Sequence, residues 1–202
     1  MNGRAIASLV GAFLLGGIPF SHLIARGRGV DLRTVGSGNV GATNLARALG
    51  YGLGAAGLLL DAAKGAAAVL IQRVLLGPQA TPMIQGLAAA LAVLGHSFSP
   101  FLRFKGGKGV ATGAGAFGVL APQATLAAVG VFGVVVAFTR IVGLGSVLAA
   151  LALPVAAFLF GTDRAITAAA SVVGVLVIVR HRANLARLMR GTEHRMGAGD
   201  RT

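Results

Sequence analysis

Hydrophobic positions in this chain cluster into runs, not alternations. Apolar stretches cover residues 4–25, 50–76, 82–94, Val110–Leu120, 123–139, 142–160 and 165–179. Most are long enough, with one charge or none, to read as membrane-spanning helices, since crossing takes about 20 residues. Val110–Leu120 is only about half that length, and Pro122 closes it. The 82–94 run is short unless it tilts or continues into His96. The 50–76 run is interrupted by Asp61 and Lys64. The pattern predicts an all-α, polytopic integral membrane protein of about seven transmembrane helices, forming one domain over 1–202. The first apolar run has no small-residue cleavage pattern followed by a soluble domain, and reads as a retained helix.

Polar residues gather between these runs, at 26–49, 95–109, Arg140 and 180–202. Alternating seven spans puts all four segments on one side of the membrane. Arg26, Arg28, Arg33, Arg47, Arg103, Lys105, Lys108, Arg140, Arg180, Arg182, Arg187, Arg190, Arg195 and Arg201 fall there. The other side receives Arg4, Arg73 and Arg164, and Lys64 lies within a span. The positive-inside rule then places the N-terminus outside and the C-terminus in the cytoplasm.

Composition sharpens this picture. The chain is 55% apolar and 11% charged, with a mean hydropathy of +0.83. Its 32 glycines suit helices that pack closely in lipid. Cysteine is absent, which excludes disulfides, thiol nucleophiles and cysteine-ligated metals. The net charge of +13 fits a basic inner membrane face, and no nucleic-acid partner is expected.

Three polar segments carry candidate chemistry. VGSGNVGATNLAR (35–47) contains a Gly-x-Gly-x-x-Gly match at Gly36, Gly38 and Gly41. No strand precedes it, so a dinucleotide fold is excluded. Its glycines free the backbone to wrap an anion. Ser37, Thr43 and Asn44 offer donors, and Arg47 offers a fork suited to phosphate. The second segment, GHSFSPFLRFKGGKGVATG (95–113), sets Lys108 in a Gly-Gly-Lys-Gly turn before a helix, an anion-binding arrangement. Gly109 follows the lysine where a nucleotide-binding P-loop needs Ser or Thr, so nucleotide hydrolysis is excluded. His96 alone reads as a core or interfacial histidine. In the third segment, RHRANLARLMRGTE (180–193), His181 and Asn184 share a helical face. Arg187, Arg190 and Arg195 fit a basic juxtamembrane helix that meets anionic lipid heads. Asp61 and Lys64, at i and i+3, read as structural glue, with contact to a polar site as the alternative. The five carboxylates form no obvious metal or acid–base pair, so neither a metal nor a cofactor is expected.

These three segments, in this order, resemble the signatures of the bacterial acyl-phosphate:glycerol-3-phosphate acyltransferases, as does Asp61-x-x-Lys64-Gly65. The resemblance implies a membrane enzyme that moves a fatty acyl group from acyl phosphate to the 1-position of sn-glycerol 3-phosphate. The products would be lysophosphatidic acid and inorganic phosphate, the first acylation of phospholipid synthesis. It implies a bacterial inner-membrane location with the site facing the cytoplasm, and a functional link to the enzyme that makes acyl phosphate from acyl carrier protein. It assigns Ser37, Arg47, Lys108 and His181 to catalysis. It assigns Asn184 and the loop residues Gly38, Asn39, Gly41, Gly106, Gly107 and Gly109 to substrate binding, and Thr43, Asn44 and Thr112 join them as donors beside those loops. Ser146 joins them on weaker grounds, because relatives often carry a serine nearer Gly143. The His-x-x-x-x-Asp motif of acyl-CoA-dependent acyltransferases is absent: Gly27, Phe101, Ala186 and Gly199 stand five residues after His22, His96, His181 and His194. A carrier for anionic, phosphate-bearing solutes is the alternative function, and a lipid-binding scaffold a further one. In the enzyme reading the hydroxyl proton has two candidate acceptors. One is His181, with an ordinary pKa of roughly 6.5. The other is the donor phosphate, with a second pKa of roughly 6.

Overall fold

The structure is a computed structural model, and it describes residues 2–197. Arg201 and Asp200 lie outside the described residues. Every regular element among the described residues is helical. The chain divides into two compact units, residues 1–120 and 121–202.

The first unit holds α1 (Gly3–Gly17), α2 (Phe20–Arg26), α3 (Ala42–Leu49), α4 (Tyr51–Leu76), α5 (Pro82–Ser97) and α6 (Val110–Leu120). Asn2 caps α1 by accepting from the Ala5 N–H, and Thr81 caps α5 ahead of Pro82 at the first helical position. α4 packs against α1, α2, α3, α5 and α6 and is the axis of this unit. Small residues let it approach its neighbours. A Cβ on Gly65 would overlap the Thr112 carbonyl oxygen, and one on Gly115 would overlap that of Ala62. α4 and α6 therefore meet backbone to backbone, the contact that small residues make possible in lipid.

The first span is broken. α1 stops at Gly17 because Pro19, lacking an N–H, cannot continue its ladder, and the chain resumes as α2. The carbonyls left at the break find donors from elsewhere in the unit, one on α4 and one in the segment after α5. Ser99 Oγ donates to Gly17 O at 2.6 Å, and Lys64 Nζ donates to Ile18 O at 2.6 Å. Lys64 also pairs with Asp61 at 2.8 Å, with both side chains buried. Ser21 Oγ donates to the other carboxylate oxygen at 3.0 Å. Asp61 and Lys64 thus do the structural work expected of them: they stitch α4 to the broken first span.

The second unit holds α7 (Pro122–Thr139), α8 (Val142–Leu159), α9 (Arg164–Arg180) and α10 (Arg182–Met189). α8 packs between α7 and α9 in the contact order. α9 and α10 are bent by 53° at His181. The Met196 N–H donates to Arg140 O at 2.7 Å, tying the segment after α10 to the α7–α8 turn.

Five elements are long and apolar enough to span a membrane: Gly3–Arg26, Tyr51–Gln79, Pro82–Leu102, Pro122–Thr139 and Val142–Leu159. A sixth counts if the bent α9–α10 pair is one span. α6, with 11 residues, is about 16 Å long against a hydrocarbon thickness of about 30 Å. α3 is an addition to the expected pattern. It lies within the polar 26–49 segment, where its two-turn amphipathic repeat is too short to stand out.

Replacing Lys64 by Met strands the Asp61 carboxylate in the interior. We expect a loss of about 3–5 kcal/mol, the cost of breaking a buried pair. The measurement is thermal unfolding of the detergent-solubilised protein by size-exclusion recovery. The Asp61→Asn, Lys64→Met double variant should regain most of the loss; a Lys64→Met protein as stable as wild type would refute the role given to this pair.

Candidate functional site

The first polar segment is held by its own side chains. Asn44, on α3 and buried, accepts from the Ser37 N–H at 3.0 Å and donates to the Leu32 and Val35 carbonyls, each at 3.0 Å. Asn44 was expected among the donors to a ligand; these bonds make it the lock of the loop. The Gly38 N–H donates to Val35 O, and the Gly41 N–H to Asn39 Oδ1. These loop N–H groups are therefore used in holding the turn. Thr43 and Arg47 lie at i and i+4 on α3, exposed and half-buried respectively, and Ser37 is half-buried. Arg33 closes on Asp31 through two nitrogens, at 2.9 and 2.6 Å. This arginine holds the Asp31 carboxyl far below the usual carboxylate range, and Asp31 in turn raises Arg33. Asp31 is thus ionised throughout the neutral range and committed to Arg33. The pairing holds above the ordinary carboxylate pKa and is lost only as pH falls through the lowered one.

The second segment is pinned to the end of α5. The Gly107 N–H donates to His96 O at 3.0 Å and the Gly106 N–H to Ser97 O at 3.2 Å. These bonds satisfy carbonyls that a helix C-terminus leaves without intrahelical partners. Gly106, Gly107 and Gly109 are buried, and Lys108 is half-buried between them. Gly109 has a φ of +84°, which a residue with a side chain adopts only with strain. Thr112 is fully buried in the first turn of α6, placing it in the support of the turn. Arg103 and Phe104, just before the turn, both take left-handed backbone angles.

The third segment lies in the second unit. His181 is 2% exposed, and its Nδ1 is 2.7 Å from Val177 O. A carbonyl oxygen only accepts, so Nδ1 carries a proton, and in the neutral form of the ring Nε2 is the acceptor nitrogen. Asn184 Nδ2 donates to Glu193 Oε1 at 2.5 Å, and Arg187 Nε donates to Glu193 Oε2 at 2.7 Å. Glu193 thereby fixes the orientation of Asn184. It was not singled out in the sequence, although it is the one carboxylate within the basic 180–193 segment. A Cβ on Gly143 would come within 2.9 Å of Asn184 Nδ2 and 3.1 Å of Glu193 Oε1. Gly143 therefore borders this pair, as a second position not assigned from sequence. Ser146 is buried and donates to Val142 O at 2.9 Å, a bond within its own helix.

The first unit carries the cations Lys108 and Arg47 with the hydroxyls of Ser37 and Thr43, and the second carries the His181 imidazole. Among the described residues no group of three or more His, Asp or Glu side chains is placed to hold a metal ion.

Comparison with known proteins gives a consistent answer. The family model described as glycerol-3-phosphate acyltransferase matches residues 6–191. The glycerol-3-phosphate acyltransferase of Geobacter sulfurreducens is 45% identical over 189 residues, covering 93% of this chain and 95% of that one. The protein of the same name from Anaeromyxobacter dehalogenans is 45% identical over 195 residues, covering 94% and 96%. A crystal structure of PlsY (YgiH), an integral membrane glycerol 3-phosphate acyltransferase, in its glycerol 3-phosphate form superposes with a TM-score of 0.91. It is 40% identical and is matched over 96% of each chain. Its lysophosphatidic acid form gives a TM-score of 0.89 at 38% identity over 96% of each chain.

Replacing Glu193 by Ala leaves Asn184 and Arg187 without this acceptor. A buried group that loses its partner costs about 1–3 kcal/mol, so the variant should melt earlier than wild type. Glu193→Gln, which keeps one acceptor oxygen, should lose less. Equal melting of all three proteins would contradict the clamp.

Proposed function

This chain belongs to the glycerol-3-phosphate acyltransferase family, and we propose that it uses acyl phosphate as its donor and acylates the 1-position of sn-glycerol 3-phosphate. Acyl transfer to glycerol 3-phosphate, giving lysophosphatidic acid, is its activity, and it is a multi-pass membrane protein. The observation that carries this reading is the shared fold with structures holding substrate and product of one acylation. The donor is the one that the resemblance of the three signature segments implies, and its chemistry suits a cationic site. An acyl phosphate is already activated, so the protein has only to position two phosphates and stabilise charge. The glycerol hydroxyl oxygen bonds to the acyl carbon, the bond from that carbon to the phosphate oxygen breaks, and inorganic phosphate leaves.

In this reading Lys108 and Arg47 bind phosphate and stabilise the developing oxyanion, Ser37 and Thr43 add donors, and His181 and Asn184 orient the glycerol. The hydroxyl proton passes to the departing phosphate, because cations near His181 disfavour a second positive charge there. The His181 tautomer favours a second reading in which Nε2 takes the proton. We further propose that the chain acts as one catalytic domain with no metal or cofactor. It would cross the bacterial inner membrane seven times, with α6 as the short span, the N-terminus outside and the site facing the cytoplasm. Cation placement supports this topology. An enzyme that draws acyl chains from acyl carrier protein would supply the donor.

Purified protein given acyl phosphate and glycerol 3-phosphate should release inorganic phosphate. Lys108→Ala should lower turnover by about 100-fold or more, the usual effect of removing a preorganised charge-stabilising donor. EDTA should leave the rate unchanged. Failure to use acyl phosphate, or near-normal Lys108→Ala turnover, would overturn the reading. His181→Ala separates the proton routes: a loss confined to kcat assigns the base to His181, and a rise in glycerol 3-phosphate KM assigns it to the phosphate.

A further inference from the structure

His96 sits between a buried carboxylate and the glycine turn. Its Nδ1 is 3.7 Å from Asp61 Oδ1, and it is 9% exposed. Its opposite edge lies on Gly107, where a Cβ would overlap His96 Nε2. The same turn of α5 holds the loop by its backbone, through His96 O to the Gly107 N–H and Ser97 O to the Gly106 N–H. The Asp61 carboxylate is itself fixed, by Lys64 at 2.8 Å and by Ser21 at 3.0 Å. At 3.7 Å the carboxylate meets the Nδ1 edge as a charge and not as a hydrogen-bond acceptor, and the ring is packed on the loop at its other edge.

We propose that His96, oriented by Asp61, is a positioning residue that sets the height of the Gly106–Gly107–Lys108 turn and so the placement of the Lys108 ammonium. This rests on the reading above that Lys108 binds substrate phosphate. Two backbone bonds tether the turn to α5, but a tether alone does not set how closely the glycine backbone settles. The imidazole fills that space, and only a residue without a Cβ fits against it. The role makes no use of proton transfer by His96.

A double-mutant cycle between His96 and Gly107, run on the full-length protein, tests this. The readout is phosphate release at varied glycerol 3-phosphate and varied acyl phosphate. Gly107→Ala alone should raise the KM of a phosphate substrate by on the order of tenfold. His96→Asn keeps a polar group on the Asp61 side and withdraws bulk from Gly107. It should raise KM modestly and, because Lys108 also stabilises the developing oxyanion, lower kcat alongside it. The His96→Asn, Gly107→Ala double variant should bind better than Gly107→Ala, because the space the methyl needs has been vacated. Losses that multiply, or a His96→Asn protein with altered melting temperature but wild-type KM, would overturn the assignment. Should Gly107→Ala fail to fold, the His96→Asn variant still decides the question. A wild-type protein that releases no phosphate would overturn the functional reading; an active wild type with multiplying losses overturns the His96 role alone.

Discussion

A carbonyl freed at a broken helix inside a membrane has to find a donor within the protein. In the first unit the break at Ile18 and Pro19 meets that need through Lys64 and Ser99. Lys64 then requires a counter-charge, which Asp61 supplies, and Asp61 requires donors, which come from Ser21 and from the lysine itself. A single proline thus accounts for several polar residues in an apolar environment. Removing any one leaves another without its partner, at the high cost lipid imposes on such groups.

The glycine-rich loops extend the same logic. A run such as Gly36 to Gly41 suggests backbone N–H groups turned towards an anion. In the structure several of those groups bond back to the protein, to Asn44, Val35 and Asn39. The glycines here allow tight turns and close approach, and the positive charge comes from side chains. A loop held by its own bonds is preorganised, and it pays little ordering cost when a phosphate arrives.

Much of this architecture was legible in the sequence. The runs at 50–76 and Val110–Leu120 became α4 and α6 nearly residue for residue, because the overall hydropathy of a run is set by lipid and not by neighbours. The signature segments gave Lys108, His181 and Asn184 by residue type. Hydropathy was silent on contacts that depend on distant parts of the chain. Nothing local marks Glu193 as the partner of Asn184, since a loop brings it back over the helix it follows. His96 was legible only as a buried histidine, because its meaning lies in a carboxylate 35 positions earlier. α3 was hidden because two turns of amphipathic helix in a polar segment carry too little periodicity.

Two arginines in these polar segments are already committed to carboxylates, Arg33 to Asp31 and Arg187 to Glu193. Neutralising either one removes a cation and also unmasks an anion. An alanine scan of the basic residues would therefore score Arg33 and Arg187 as anion-binding even if neither ever touched a phosphate, since the uncovered carboxylate would itself repel one. Only paired removal of arginine and carboxylate separates contact from unmasked charge, and the pairs needed are the two that this fold has already joined.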